Sequence, residues 1–86
     1  MTIFAIIASG RSDVLKAAVE RVFPNKNFEF APGQFVAVTS GMTSQQVASA
    51  LGANGEVGQY AAFSINSHWG YHRKDLWEWL AVNEAE

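Results

Sequence analysis

The sequence predicts an α+β fold, and three observations predict it. Two apolar runs of strand length each end in a Ser-Gly turn, Ser9-Gly10-Arg11-Ser12 and Ser40-Gly41-Met42-Thr43, and a helical pattern follows each. Between them lies a pair of short β patterns joined by Pro32-Gly33. A further β pattern and an aromatic-rich helical pattern follow the second helix. The resulting order, β-α-β-β-α-β-α, suits a ferredoxin-like split β-α-β sandwich (β-α-β-β-α-β) with an added C-terminal helix. Right-handed crossovers then set strand one beside strand three at the centre of the sheet, with strands four and two at its edges.

Each element has a local reason. Residues 2–9 are an apolar run too short for a helix. The run does not alternate, so both of its faces are expected to be covered, as in a central strand. Ser12 is placed as an N-cap, and Asp13 suits the positive end of a helix. Leu15, Ala18, Val19, Val22 and Phe23 share one helical face, and Pro24 stops the helix near Phe23. Asn27 to Ala31 alternates, with Phe28 and Phe30 opposite Glu29. Pro32-Gly33 is a turn signal, and Phe35 to Thr39 completes the hairpin.

Thr43 and Gln46 have capping-box spacing ahead of a short helix over about 44–51. Gly52 is placed to end it in a left-handed conformation. Residues 53–58 hold Asn54-Gly55 and read as a loop. Tyr60 to Asn66 reads as the fourth strand, His68 to His72 as an aromatic connection, and 74 to about 84 as the terminal helix. A four-stranded sheet with two helices on one face leaves its other face bare. The terminal helix or a second copy of the chain is needed to cover it.

Composition narrows the functional classes. Eighty-six residues fit one domain, 1–86, with one modest core. A chain 49% hydrophobic and 16% charged is globular rather than disordered. Six Lys and Arg against eight Asp and Glu, net charge −2, argue against a broad nucleic-acid footprint. Phe35-Val36-Ala37-Val38 also lacks the basic, aromatic character of strands on which RNA bases stack. The absence of Cys excludes disulfides and thiolate zinc sites and fits a reducing compartment. The apolar start is too short to span a bilayer or to serve as a signal peptide. The expectation is a cytoplasmic protein with no membrane partner.

The aromatic C-terminus carries the leading functional expectation. On the terminal helix Leu76 and Leu80 lie together, Trp77 and Trp79 flank them, and Glu78 points away. Both indoles suit the edge of a core. They also suit an interface shared with Trp69, Tyr71 and Arg73, since Trp, Tyr and Arg dominate binding hot spots. The expected role is a small non-enzymatic protein-interaction module, its partner a second copy or another protein, with a two-fold homodimer favoured.

The alternative is a small-ligand or anion sensor. Strands one and three are expected to be neighbours, which is taken to bring their turns side by side. Ser9, Gly10, Arg11, Ser12, Ser40, Gly41 and Thr43 would then offer amides, hydroxyls and one cation to a phosphate or carboxylate. Neither GxxxxGK[ST] nor GxGxxG is present. His68 and His72 have helical metal-ligand spacing, but Gly70 between them disfavours a helix and only Asp75 is near as a third ligand. No cofactor, metal site or catalytic residue is expected. Ser9, Ser12 and Ser40 lack an identifiable base, and the acidic residues show no paired-carboxylate signature.

Overall fold

A computed structural model describes residues 2–10, 12–52, 54–65 and 74–84. It is an α+β structure with three helices and an open four-stranded antiparallel sheet. In chain order the elements are β1 (Thr2–Ser9), α1 (Asp13–Val22), β2 (Asn27–Ala31), β3 (Gln34–Thr39), α2 (Ser44–Leu51), β4 (Gln59–Ile65) and α3 (Lys74–Glu84). The sheet order is β2-β3-β1-β4, so β1 and β3 are central and β2 and β4 are the edges.

The alternation of side chains along the strands sorts the core into two layers. Phe4 and Ile6 of β1 join Phe35 and Ala37 of β3 on one face. Leu15, Ala18, Val19 and Phe23 from α1, and Val47 and Leu51 from α2, pack onto them. Each fully buried Phe or Leu in this layer contributes roughly 1.5–3 kcal/mol. The opposite face presents Ile3, Val36 and Val38, and Leu76 and Leu80 of α3 cover them. The terminal helix thus lies on the second sheet face.

Local chemistry explains the helix ends. Thr43 and Gln46 close a capping box, with the Gln46 amide donating to Thr43 Oγ1 (3.2 Å) and the Thr43 amide to Gln46 Oε1 (2.8 Å). At the other end of α2, Gly52 takes φ +129° and donates to Ala48 O. Arg21 of α1 donates to Ala50 O at 3.4 Å and links the two helices. At the far end of α1, Asn25 turns the chain with φ +64°, and Asn27 Nδ2 donates to Phe23 O at 2.8 Å. Lys26 Nζ reaches Asn83 Oδ1 (3.3 Å), and Asn83 Nδ2 donates to Trp79 O. The first of these bonds ties α3 to the chain entering β2, and the second, within α3, holds the Asn83 amide in place.

Two expectations are corrected here. Ser12 occupies the N-cap of α1, but its side chain makes no capping hydrogen bond. Its φ and ψ of −127° and 4° lie outside the extended conformation that aims a cap hydroxyl at the first turn. The two Ser-Gly turns are also not adjacent. β1 and β3 are neighbours, but the hairpin between β2 and β3 reverses the chain, so they run antiparallel, with Thr2 opposite Thr39 and Ile7 opposite Gln34. Their C-terminal ends point in opposite directions along the sheet.

Candidate functional site

The antiparallel register decides what the Ser-Gly turns can do together. Ser9-Gly10 and Ser12 stand at one end of the sheet, Ser40-Gly41 and Thr43 at the other. An eight-residue strand at ~3.3 Å per residue separates them by roughly 25 Å, far beyond the span of one phosphate or carboxylate. The seven proposed anion ligands therefore do not form a single site. Arg11 lies outside the described residues.

The neighbour of the first turn is the β2–β3 hairpin. Gly33 O accepts from the Ala8 amide at 2.8 Å, and the Gly33 amide donates to Glu29 Oε2 at 3.1 Å. Gly33 is buried with φ +76°, and a Cβ there would meet the Cβ atoms of Ala8 and Ser12 at 3.3 Å. Glu29 also faces Lys16 Nζ at 3.2 Å. Gly33 thus packs the hairpin closely against the first turn.

A second candidate is an open depression of about 350 Å³ lined by Ala48, Gly52, Gly55, Gly58, Gln59, Tyr60 and Ala62. Tyr60 Oη lies 2.9 Å from Ala48 O and 3.1 Å from Gly52 O, so its single proton serves the carbonyls at the end of α2. Burial, and secondarily the charge of Glu56, raises the Tyr60 pKa. A neutral, hydrogen-bonded phenol braces α2 against β4 and supplies neither a nucleophile nor a base. Among the described residues no group of three or more His, Cys, Asp or Glu is placed to hold a metal ion.

The aromatic residues divide. Trp77 and Trp79 are half-buried and pack against the second core layer, with Leu76 and Leu80 buried between them. Trp79 stacks on Phe28 of β2, with centroids 5.9 Å apart and planes inclined by 25°. Trp79 is therefore spent largely on holding α3 over β2 and β3. Trp69, Tyr71 and Arg73, with His68 and His72, lie outside the described residues.

One apolar surface was not singled out by sequence. On the α3 face, strand pairing aligns Ala5 with Phe63 and Ile7 with Ala61. α3 covers Ile3, Val36 and Val38, and Ile65 packs against this layer, but Phe63 is 55% exposed and Ala61 is exposed too. The strip Ala5-Ile7-Ala61-Phe63 lies on the β1/β4 half of this face. Phe63 alternates with Ser64 along β4, and its pairing with Ala5 sets it on this face. The signal for its exposure, the lateral position of α3, is tertiary.

No helix among the described residues is long and apolar enough to cross a membrane. In comparisons with known proteins, no family model matches the chain, and no curated protein or solved structure matches it significantly.

Proposed function

We propose that this chain is a small non-enzymatic protein-interaction module that self-associates. We take its frame to be a ferredoxin-like split β-α-β sandwich with the terminal helix added on the free sheet face. The sheet order β2-β3-β1-β4 and its antiparallel pairings support that assignment. So widely used a scaffold does not itself name a function, and the proposal stands on surface chemistry.

The observation that carries it is the exposed strip at Phe63. A large aromatic side chain 55% exposed on a β-strand, with Ala61 and Ile7 beside it, forms an apolar surface bordered by α3. Contiguous apolar surface of this kind marks interaction sites more often than isolated exposed residues do. The contact is thus recentred from Trp79, which the Phe28 stack engages, to Phe63. Trp77, on the flank of α3 opposite Trp79, is proposed as its aromatic rim, while Trp69, Tyr71 and Arg73, expected at the interface from the sequence, lie outside the described residues.

Sedimentation equilibrium from low micromolar to several hundred micromolar tests this. The wild-type chain is expected to associate. Phe63→Ser should weaken association at least tenfold with an unchanged far-UV circular dichroism spectrum. A chain that is monomeric throughout that range ends the proposal.

A further inference from the structure

We infer that the module associates by pairing β4 with β4 of a second copy, antiparallel about a two-fold axis through Ala62, to make one continuous eight-stranded sheet. This rests on the self-association proposed above and specifies its geometry.

The two edges of the sheet are unlike. β2 carries Glu29, is flanked by Lys26 and Pro32, and has a register irregularity between Glu29 and Ala31. Charge, proline and bulges are the means by which proteins protect an edge against pairing. β4, Gln59-Tyr-Ala-Ala-Phe-Ser-Ile65, has no charged residue and no proline, and its pairing with β1 runs through all seven residues without a break. Among the described residues no strand lies on its other side. Half of its backbone amides and carbonyls therefore face outward in a regular row, the template that strand addition uses.

The occupant is chosen by self-complementarity. An antiparallel two-fold pair must match residues on the same face, so its centre falls on a residue. With Ala62 at the centre, Ala61 stands opposite Phe63 of the second copy, and Tyr60 opposite its Ser64. Each pairing sets a large side chain against a small one, and each occurs twice, which is the isologous pattern of a two-fold interface. Opposed pairs have Cβ atoms roughly 4.5–5.5 Å apart, a gap that Phe against Ala fills without two rings clashing. No charge opposes a like charge anywhere along the seven residues. The Phe63 strips of the two copies become continuous across the axis. The seven-residue edge is about 24 Å long, so edge and strip together fall at the small end of specific interfaces. Micromolar association is expected.

The absence of native cysteine makes single-cysteine variants clean reporters. Ala62→Cys should be captured as a disulfide, or by a short bifunctional maleimide, at concentrations where the wild-type chain associates. Ala31→Cys on β2 should not. Ala61→Lys places two cations beside the axis at an exposed position and should weaken association at least tenfold with the fold intact by circular dichroism. If the wild-type chain associates but Ala62→Cys is not captured, or Ala61→Lys associates normally, the β4 geometry is wrong while self-association stands. A wild-type chain that stays monomeric overturns both and leaves the edge to a strand of another protein.

Discussion

Leu80→Ala is the most direct test of how α3 is held. Leu80 is 1% exposed and sits in the layer formed by Ile3, Val36, Val38 and Leu76. Truncating a buried Leu costs about 2–5 kcal/mol, the spread reflecting how far the surroundings collapse into the cavity. A single helix on an open sheet face can settle inward more easily than a residue enclosed by several elements, so about 3 kcal/mol is expected. Domains of this length have an unfolding entropy near 0.18 kcal/mol/K at the midpoint, so the melting temperature should fall by roughly 15 °C. Urea denaturation followed by far-UV circular dichroism measures the loss. Val82→Ala is the matched control on the same helix, because Val82 is 68% exposed and its truncation should change stability by less than about 0.5 kcal/mol. A cost below about 1 kcal/mol at Leu80, or equal costs at the two positions, would refute the placement of α3 on the sheet.

Two further outcomes are expected. Gly33→Ala forces a positive φ onto an L side chain and pushes a methyl group against Ala8 and Ser12, so a loss of at least about 1–2 kcal/mol is expected by equilibrium denaturation; a loss under about 0.5 kcal/mol would show that the hairpin does not press on the first turn. Tyr60→Phe removes the proton shared by Ala48 O and Gly52 O and should cost about 1 kcal/mol at neutral pH. The raised Tyr60 pKa means that the folded state holds this proton more tightly, so the associated stability is complete below about pH 10 and is lost as pH rises through the folded value. Urea midpoints measured between neutral pH and pH 11 should therefore fall more steeply for wild type than for Tyr60→Phe, and parallel curves would contradict this.

Local patterns carried much of the architecture. The Thr43–Gln46 spacing marked the start of α2, and the Leu76–Leu80 pair marked the buried line of α3. The uniform apolarity of β1 implied two covered faces, and α3 supplies cover on the second while leaving Ala5 and Ile7 half-buried. The relation between the Ser-Gly turns is not legible in the sequence, because neighbouring strands need not end at the same side of the sheet. Adjacency and direction are separate properties, and one hairpin between β2 and β3 inverts the second without changing the first. Gly33 read as a turn former, whereas its packing against Ala8 and Ser12 comes from elements over twenty residues away. Phe63 and Ser64 alternate along β4, but the exposure of Phe63 depends on where α3 lies across the sheet. No spacing within β4 encodes the position of another helix.

The two-layered core has a consequence for synthesis. β1 through β4 leave the ribosome before α3, and they contain every strand of the sheet and both helices of the first layer. Ile3, Val36 and Val38 on the second face stay uncovered until Leu76 and Leu80 dock. Until then the chain displays an apolar sheet face beside β4, whose other side carries no strand among the described residues, and such exposed surface makes incompletely folded chains prone to aggregate. α3 thus shields the face it covers, and the speed at which it docks sets how long that face is open to other molecules.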